Sequence, residues 1–374
     1  MEEKFMLREV LNNNNIEQLS NRILKTWNKF NKKAFITEIE RELHNLSFGD
    51  RSKLICEKLK QYLPDSYEKA LNILINSLQK ELVGNEMPKN EDFIIMPQCL
   101  FVSKYGLEHF DISINALYEM TKRFTAEGDI RYFILKYPEK TEYILLKWAE
   151  DKNFHVRRLA SEGSRPRLPL GIRLPNYQKN PSPVIKILEK LKKDPELYVR
   201  RSVANNLNDI SKDNPKIVTD LLKIWSKDKS EEMRWLIKHS LRTLLKEGNK
   251  EALALLGYFS IEEDIIVENL VLDKNKVKIG EDFNFSFQIK SNTSKTKNLM
   301  IDYIIHHKKA NGKNTPKVFK LSKKILNPSD KLYISKNHSF KLISTRKYYS
   351  GDHYLEIKIN GKNYFKEKFL LLEK

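Results

Sequence analysis

The chain has 374 residues, of which 40% are hydrophobic and 10% aromatic, and its formal net charge is +19. This composition favours a globular protein over a disordered one, and the length suffices for two or three domains with their own cores. No apolar run approaches the ~20 residues of a membrane span, and the stretch MEEKFMLREV lacks the apolar segment of a signal peptide. We therefore expect a cytoplasmic protein without a membrane partner. The positive charge is typical of proteins that bind nucleic acid or an anionic membrane surface, although abundant lysine is also typical of AT-rich genomes.

The positive charge is concentrated in one segment of the chain. Residues 151–250 carry 23 Lys+Arg and 12 Asp+Glu, a net charge of +11. Arginine is more informative than lysine here, because its planar guanidinium can bind a phosphate through two N–H groups at once. The stretch HVRRLASEGSRPRLP, residues 155–169, contains four arginines around a single carboxylate, Glu162. Since that carboxylate weakens the attraction to an anionic partner, we expect it to have a chemical role.

Residues 16–256 have a helical pattern almost throughout, with apolar residues that recur every three and four positions. Examples are SYEKALNILINSL from Ser66 and EYILLKWAED from Glu142. The predicted helix starts carry a polar cap or an early proline, at Asp65-Ser66, Pro138-Glu139 and Asn214-Pro215. The loops between these helices are short, which is typical of arrays of helical hairpins.

Three segments of this region share one frame, an aspartate followed after four further residues by Val-Arg-Arg or Met-Arg-Trp. They are Asp151-x4-Val156-Arg157-Arg158, Asp194-x4-Val199-Arg200-Arg201 and Asp228-x4-Met233-Arg234-Trp235. An amphipathic helix precedes each frame, and the spacings of 43 and 34 residues bracket the ~40 residues of HEAT-like helical pairs. We therefore predict a HEAT-like α-solenoid over residues 1–258, whose curvature produces one long concave surface.

After Tyr258 the pattern changes to short alternating segments such as NFSFQIK, YLEIKI and NYFKEKF. Turn signals separate them at Gly280-Glu281, Asn311-Gly312 and Asn360-Gly361, and the last is typical of a two-residue hairpin. Short strands at regular spacing predict a β-sandwich of the immunoglobulin type over residues 259–374. Because this region contains no cysteine, the predicted sandwich lacks the intersheet disulfide of antibody domains. The predicted fold class is therefore mainly α, with a small C-terminal β domain.

The repeated frames place polar residues beside apolar stripes. In YVRRSVANNLNDI the polar side of the predicted helix carries Arg201, Asn205, Asn208 and Asp209. The second helix of a HEAT-like pair commonly lines the concave face, so this polar side is a candidate ligand surface. In the preceding frame, Arg158 and Glu162 lie one helical turn apart. Two simpler interpretations stay open: Arg158 and Glu162 form an ordinary surface ion pair, and Asp209 caps the end of its helix.

Other chemical motifs are absent from the sequence. Cys56 and Cys99 lack metal-site spacing and are expected to be reduced thiols in ordinary structural positions. The eight histidines show no HExxH or paired-ligand spacing, and there is no P-loop, no GxGxxG after a predicted strand and no GxSxG elbow. We therefore predict that the protein uses neither a metal ion nor a cofactor.

Several blocks of the sequence together carry a resemblance to a known family. TKRFTAEGDIRYFILKYPEKT, HVRRLASEGSRPRLP and YVRRSVANNLNDISKDNP resemble signature stretches of the AlkC family of DNA alkylation repair glycosylases, in that family's order. In the C-terminal region, KVFKL and RKYYSGDHYLEIKING resemble the immunoglobulin-like domain of one AlkC branch. The resemblance covers essentially the whole chain and is weakest over residues 1–60.

The resemblance implies removal of N-methylated bases, notably 3-methyladenine and 3-methylcytosine, from duplex DNA to leave an abasic site. It also implies catalytic carboxylates at Glu127, Glu162 and Asp209, one in each block. The sequence departs from the family pattern at two places: Gly128-Asp129 replaces an apolar pair, and Leu170 stands where the family tends to have a tryptophan. If that tryptophan stacks near the lesion, base discrimination here is weaker or depends on another side chain.

These residue types suit the implied chemistry. Methylation at N3 makes the base cationic and a good leaving group, and its departure leaves an oxocarbenium-like sugar that nearby carboxylates stabilise. One carboxylate can also position or deprotonate the attacking water, and neither a leaving-group acid nor a lysine nucleophile is required. We therefore predict a monofunctional glycosylase that acts as a monomer on double-stranded DNA. Whether the target base is flipped out of the stack stays open.

The arginines of the basic segment are candidate contacts to the DNA backbone. They are Arg157, Arg158, Arg165, Arg167, Arg200 and Arg201. Adjacent residues are ~100° apart on a helix, so which member of each Arg-Arg pair faces DNA stays open, and other members are expected to stack on the neighbouring repeat. Near the predicted turn SGDH, further candidates are Arg346, Lys347 and His353, with a solvated loop as the alternative.

A second class of function fits the same fold, namely a non-enzymatic HEAT scaffold that binds DNA or protein through its concave surface. The three carboxylates Glu127, Glu162 and Asp209 distinguish the two classes, because a scaffold has no need for acids among phosphate-binding arginines. Release of a methylated base from duplex DNA is the measurement that separates them.

Overall fold

The computed structural model of the protein describes residues 6–84, 86–344 and 346–373. Packing divides these residues into two units. The helical unit comprises the described residues up to Asn214 together with Lys229–Ser240. The sandwich unit comprises Pro215–Asp228 and the described residues from Leu241 onward.

Sixteen α-helices and two 3-10 helices lie in the described residues, the latter at Leu7–Val10 and Asn90–Ile95. The α-helices are α1 (Asn13–Thr26), α2 (Lys32–Leu43), α3 (Phe48–Tyr62), α4 (Tyr67–Asn76), α5 (Met96–Tyr105), α6 (Phe110–Thr121), α7 (Ile130–Lys136), α8 (Pro138–Trp148), α9 (Phe154–Gly163), α10 (Pro175–Lys179), α11 (Ser182–Leu191), α12 (Leu197–Ile210), α13 (Pro215–Trp225), α14 (Glu231–Ser240), α15 (Arg242–Glu247) and α16 (Lys250–Leu255). The helical unit contains all of them except α13, α15 and α16. None of these helices is both long and apolar enough to cross a membrane.

The helices form where the sequence pattern predicts them. α4 starts after Ser66, whose hydroxyl accepts a hydrogen bond from the backbone N–H of Lys69, and α8 starts at Pro138. The apolar stripe of α12 is fully buried and consists of Val199, Val203, Leu207 and Ile210. α12 packs against α9 and α14. Burial of apolar residues at helical spacing is therefore what orders these helices.

The repeated sequence frame is a repeated loop structure. In each frame the first arginine donates to backbone carbonyl oxygens of the loop before its helix. These contacts, at 2.5–3.0 Å, are Arg157 to Asp151 and Lys152, Arg200 to Asp194 and Pro195, and Arg234 to Lys229. In the first two frames the aspartate side chain also accepts a hydrogen bond from the backbone N–H two residues later. One arginine per frame therefore satisfies the polar backbone of its loop.

The sandwich unit contains two β-sheets. Its strands are β1 (Ile265–Leu272), β2 (Lys276–Lys278), β3 (Asp282–Ser291), β4 (Lys297–Lys308), β5 (Asn314–Leu326), β6 (Lys331–Ser339), β7 (Gly351–Ile359) and β8 (Lys362–Leu372). One sheet has the order β1-β3-β6 and the other the order β2-β8-β7-β4-β5. All neighbouring strands are antiparallel except β2 and β8, which are parallel.

The sandwich core is built from alternate residues of both sheets. Phe283, Phe285 and Phe287 point inward from β3 and are at most 1% exposed. Between β7 and β8, Asn360 and Gly361 have φ values of 43° and 86°, the positive values that a type I′ hairpin turn requires. The predicted hairpin is therefore confirmed. Both cysteines of the chain are free and buried in the helical unit.

The last helices pack with the strands. Lys358 on β7 donates to the carbonyl oxygen of Lys246, in α15, at 2.8 Å. Gly248, which follows α15, lies so close to the β7–β8 turn that an added Cβ would be 2.8 Å from the Gly361 carbonyl oxygen. The domain boundary predicted after residue 258 lies between the last helix and the first strand, whereas the sandwich unit also includes α13, α15 and α16.

Three histidines lie in the core of the sandwich. His307, His338 and His353 are at most 4% exposed, and their ring centroids lie 5.0–6.1 Å from that of Phe340. Burial lowers the pKa of His307 to about 3 and that of His338 to about 4, with the nearby Arg346 guanidinium as the second cause. Burial also lowers the pKa of His353. The three rings are therefore neutral in the folded unit near pH 7.

We expect the sandwich unit to lose stability as the pH falls from about 7 towards 4. In the unfolded chain these histidines take up protons near pH 6.5, whereas the folded unit resists protonation until its lower pKa values are reached. Each such histidine therefore lowers the free energy of unfolding by up to about 1.4 kcal/mol per pH unit below 6.5. Urea unfolding of the full chain at several pH values measures this loss, and His307→Phe should reduce it.

The matched control is His44→Gln, because His44 is exposed in the helical unit. This variant should show the same pH dependence as the wild type. A His307→Phe protein whose stability still falls with the wild-type slope would show that His307 does not contribute to the acid limit.

Candidate active site

Three elements that are distant in the sequence bring the predicted carboxylates together. Glu127 lies in the turn before α7, Glu162 near the end of α9 and Asp209 near the end of α12. Two arginines connect them: Arg158 lies between Glu127 and Glu162, and Arg165 lies between Glu162 and Asp209. The five side chains therefore form a continuous row of alternating negative and positive charges, which we call the charge row.

The inner part of the charge row is formed by Glu162, Arg165 and Asp209, which we call the inner triad. Arg165 donates through Nη1 to Glu162 Oε1 at 2.6 Å and through Nε to Asp209 Oδ2 at 2.8 Å. The three residues are 5%, 7% and 2% exposed, so the ion pairs are almost completely removed from water. Lys212 contacts the second Asp209 oxygen at 2.9 Å. Because a buried charge without a partner is very costly, each member of the triad fixes the others.

Glu162 is held as a carboxylate. Its Oε2 atom accepts a hydrogen bond from the Ser202 hydroxyl at 2.6 Å, and the Ser202 and Ser161 hydroxyls are 2.9 Å apart. Burial alone would raise the pKa of Glu162, but the two neighbouring guanidiniums and the Ser202 hydroxyl outweigh burial and lower it. Glu162 is therefore a negative charge in a poorly hydrated position at neutral pH.

The outer part of the charge row, together with a neighbouring ring, is formed by Glu127, Arg158 and Tyr198, which we call the outer cluster. Arg158 pairs through Nη1 with Glu127 Oε2 and donates to the Thr125 hydroxyl at 3.0 Å. Its Nη2 atom is 3.5 Å from Glu162 Oε1, and its guanidinium carbon is 5.1 Å from the centroid of the Tyr198 ring. The Glu127 side chain is 27% exposed, so the outer cluster, unlike the inner triad, is in contact with solvent.

Arg131 is a site residue that the sequence did not single out. It is fully buried on α7 and donates to the carbonyl oxygens of Gly163, Arg165 and Ile172 at 2.7–2.8 Å. Burial lowers the pKa of Arg131 to about 10, which leaves the group charged at neutral pH. Arg131 thereby fixes the loop that carries Arg165 into the inner triad. Its position four residues after Glu127 was the available signal, but nothing local distinguishes it from a surface arginine.

Two family models match the chain. The model described as "DNA alkylation repair enzyme" matches residues 125–244, a range that contains the inner triad and the outer cluster. The model described as "Uncharacterised protein YhaZ, C-terminal Ig-like domain" matches residues 266–373. The second match confirms the predicted immunoglobulin-like character of the C-terminal strands.

Two known proteins are similar to this chain over almost its whole length. The "Uncharacterized protein YhaZ" of Bacillus subtilis (strain 168) is 40% identical over 359 residues, which are 95% of this chain and 96% of that protein. Pseudomonas fluorescens alkylpurine DNA glycosylase AlkC, bound to DNA containing an abasic site analog, matches with a TM-score of 0.88 and 32% identity over 98% of this chain and 99% of its own. The chain belongs to the AlkC family of DNA alkylation repair glycosylases. The resemblance seen in the sequence is therefore confirmed, and the protein is a DNA repair enzyme.

The two departures from the AlkC sequence pattern lie in the turn before α7 and the loop after α9. Asp129 precedes α7, its Oδ1 accepts a hydrogen bond from the Ser103 hydroxyl at 2.6 Å, and burial raises its pKa to about 7. Gly128 has open space where a Cβ would lie. Leu170 has a φ of 62°, and its side chain is fully exposed. The side chain at this position therefore projects into solvent from the loop after α9.

In each Arg-Arg pair the first arginine is held within the protein. Arg157 pairs with both carboxylate oxygens of Asp194, at 2.5 and 3.1 Å, in addition to its loop carbonyl contacts. Arg200 is half-buried and donates to the carbonyl oxygens of Asp194 and Pro195 in its own loop. The second members differ, since Arg158 belongs to the outer cluster and Arg201 is exposed on α12. These contacts show that the first arginine of each pair holds its loop, while the arginine that faces DNA stays a prediction.

The two arginines of the loop after α9 are also paired. Arg167 is half-buried and contacts both oxygens of Asp213, at 2.8 and 2.5 Å. Arg165 is the buried centre of the inner triad, with carboxylates on both sides. The predicted phosphate contact of Arg165 would therefore compete with both of these ion pairs, from a side chain that is only 8% exposed.

The three candidate DNA contacts of the sandwich unit occupy different environments. Lys347 is exposed, with Nζ 5.5 Å from the centroid of the Tyr349 ring. Arg346 is half-buried, with its guanidinium carbon 5.6 Å from the centroid of the Phe319 ring. His353 is 0% exposed, and its Nε2 atom is 3.0 Å from the Tyr349 carbonyl oxygen. The predicted DNA contact of His353 is therefore incompatible with the structure, because the ring lies in the core.

We expect Arg157→Ala to destabilise the protein by about 3–5 kcal/mol, because it leaves the Asp194 carboxylate buried without its partner. The Asp194 side chain is 3% exposed. The matched control, Arg201→Ala, removes an exposed guanidinium from the next frame and should change the free energy of unfolding by no more than about 0.5 kcal/mol. Urea unfolding of both variants measures the difference. Equal unfolding midpoints for the two variants would contradict the structural role of Arg157.

Proposed function

We propose that the chain is a monofunctional DNA glycosylase that hydrolyses the N-glycosidic bond of cationic N3-alkylated bases in double-stranded DNA. The proposed substrates are 3-methyladenine and 3-methylcytosine, and the product is an abasic site. The observation that carries the proposal is the set of three carboxylates, Glu127, Glu162 and Asp209, ordered by arginines within the DNA alkylation repair region. The similarity to an alkylpurine DNA glycosylase bound to DNA containing an abasic site analog supports the same reaction class.

The geometry suits a reaction in which positive charge develops on a sugar. A cationic base leaves without being protonated, and its departure produces an oxocarbenium-like sugar. Glu127 is the most exposed of the three carboxylates, and Glu162 lies behind it on the other side of Arg158. A negative charge that is already fixed in a poorly hydrated position stabilises such a cation without reorganisation of the site. We assign this electrostatic role to Glu162.

The two other carboxylates have complementary roles in the proposed mechanism. Glu127 is in contact with solvent and is therefore suited to position or deprotonate the attacking water. Asp209 has both oxygens engaged, one by Arg165 and one by Lys212, so it acts through its negative charge and its hold on Arg165. The same pairing occupies the Lys212 amine, which favours hydrolysis by water over a covalent lysine adduct.

We further propose that residues 1–258 form a HEAT-like solenoid that presents this site to DNA on its concave surface. Within the helical unit, α12 packs between α9 and α14, and each of these three helices follows a loop of the same construction. α8 packs against α9, and α11 packs against α12, as expected of helical pairs. The proposed active form is a monomer in the cytoplasm.

The proposed contacts to the DNA backbone are those of the predicted candidates that the structure leaves accessible. Arg201 and Lys347 are exposed, and Arg346 and Arg167 are half-buried at the surface. Arg157 and Arg200 contribute by holding the loops between which DNA would lie. An exposed guanidinium or ammonium can exchange its hydration for a phosphate at little cost, so Arg201 and Lys347 are the strongest candidates.

The wild-type protein should release 3-methyladenine from methylated duplex DNA, and Glu162→Gln should lower the rate of release by about 100-fold or more. The amide keeps the shape of the side chain and its contact with Ser202, but it removes the negative charge that stabilises the developing sugar cation. Chromatographic detection of the free base under single-turnover conditions measures this rate. Enzyme in excess over DNA, at concentrations well above the Kd of each variant for DNA, ensures that weaker binding does not limit the rate.

The matched control is Glu150→Gln, because the Glu150 side chain is 65% exposed and pairs with Lys190 at the surface. This variant should keep the wild-type rate. Undiminished release by Glu162→Gln would refute the role assigned to Glu162, whereas absence of release by the wild type would refute the proposed function itself.

DNA affinity should fall as the salt concentration rises, with a slope of about −0.9 in log K against log salt for each neutralised phosphate. Arg201→Ala should make this slope shallower by about 0.9, the contribution of one neutralised phosphate, because the proposed phosphate contact is lost. Fluorescence anisotropy with an undamaged duplex measures the slope. Lys186→Ala is the control, since Lys186 is an exposed cation of α11. Identical slopes for Arg201→Ala and the wild type would remove Arg201 from the DNA interface.

A further inference from the structure

The outer cluster, together with Glu162 of the inner triad, has the composition of a binding site for a positive charge. The carboxylates of Glu127 and Glu162 and the face of the Tyr198 ring all point to one place. Carboxylates and aromatic faces are the groups with which proteins bind cations. In the structure this place is occupied by the guanidinium of Arg158, which lies within ion-pair distance of both carboxylates and over the ring.

Arg158 is held less firmly than the arginine of the inner triad. The two carboxylate partners of Arg165 have side chains that are 7% and 3% exposed. Removal of Arg165 would leave buried Glu162 with only the longer 3.5 Å contact to Arg158, and buried Asp209 with only Lys212. The principal partner of Arg158 is Glu127, whose side chain is 27% exposed and retains contact with water. Glu162 also keeps its contacts with Arg165 and Ser202 when Arg158 moves away. Arg158 is therefore the guanidinium of this site that leaves at the lower cost.

We propose that Arg158 is the resident cation of the outer cluster: its guanidinium occupies the place that the positive charge of the substrate takes, and it withdraws when that charge enters. This inference rests on the proposed glycosylase function and specifies how the site selects its substrate. A cationic alkylated base, or the sugar cation that follows its departure, compensates Glu127 and Glu162 after Arg158 has moved. A neutral base does not, because Glu127 would lose its guanidinium and Glu162 would lose one of its two, with no cation in exchange. The exchange therefore favours charged lesions over undamaged bases.

The test compares binding of the full chain to two duplexes that differ at one nucleotide. One duplex carries a pyrrolidine abasic analogue, which is protonated and cationic, and the other carries the neutral tetrahydrofuran analogue. The ratio of the two Kd values gives the preference for positive charge. Arg158→Met removes the resident cation but keeps the length of the side chain. Its preference should exceed that of the wild type by about tenfold, the lower end of what close charge pairs contribute to binding.

Two further variants of Arg158 sharpen the comparison. Arg158→Gln is a second uncharged variant, and its side-chain amide can still donate to Glu127, so it should show the same increase even where the methionine variant folds poorly. Arg158→Lys keeps a positive charge at this position and should stay near the wild-type preference. Lys186→Met, which removes an exposed cation outside the site, should leave the preference unchanged.

The outcomes separate this inference from the proposed function. An unchanged or lower preference in folded Arg158→Met and Arg158→Gln proteins, with base release by the wild type intact, overturns the resident-cation inference alone. It would show that Arg158 assists the binding of a positive charge rather than competing with it. A wild-type protein that neither prefers the cationic analogue nor releases a methylated base would overturn both proposals.

Discussion

The site depends on the pairing of one buried guanidinium with two carboxylates from different helices. A charged group that leaves water is stable only when well-aligned partners replace its hydration. Arg165 has such partners in Glu162 and Asp209, and its buried charge is balanced only while these two carboxylates are in place. Arg131 extends this constraint to the backbone, because it holds the carbonyl oxygens of the loop that carries Arg165. The apolar stripes order the helices, whereas this polar network sets where the charges lie.

The parts of the structure that the sequence predicted well are those that depend on neighbouring residues. The apolar stripe of α12 and the Asn360-Gly361 turn follow from local periodicity and local backbone preference, and both are present as predicted. The arginines could not be assigned in this way. The carboxylate partner of Arg157 is 37 residues away in the sequence and that of Arg167 is 46 residues away. No local pattern encodes an ion pair over such a distance, so a cluster of arginines resembles a phosphate-binding surface whether or not its charges are already paired.

The burial of polar side chains was the second feature that the sequence did not predict. Arg131 looks like a surface arginine until the loop that it supports is known. His353 is different, because the sequence contained a usable signal. It lies two residues before Leu355 and four before Ile357, on the alternating face of β7 that points into the core. Because His353 is close to Arg346 and Lys347 in the sequence, it was assigned to a basic loop. The alternation of inward and outward side chains along the strand instead indicates a core position.

The arrangement of charges answers a physical conflict within any site for cationic substrates among DNA-binding arginines. Carboxylates must stay negative to stabilise a cation, yet arginines close enough to keep them ionised also neutralise them. The inner triad meets the first requirement at Glu162, whose pKa is lowered by the neighbouring guanidiniums while Arg165 also holds Asp209 in place. The outer cluster addresses the second requirement through the proposed exchange, in which Arg158 withdraws from the solvent-accessible Glu127 when another cation enters. Withdrawal of Arg158 increases the negative charge at the moment when positive charge arrives, so the attraction is largest when the substrate can use it.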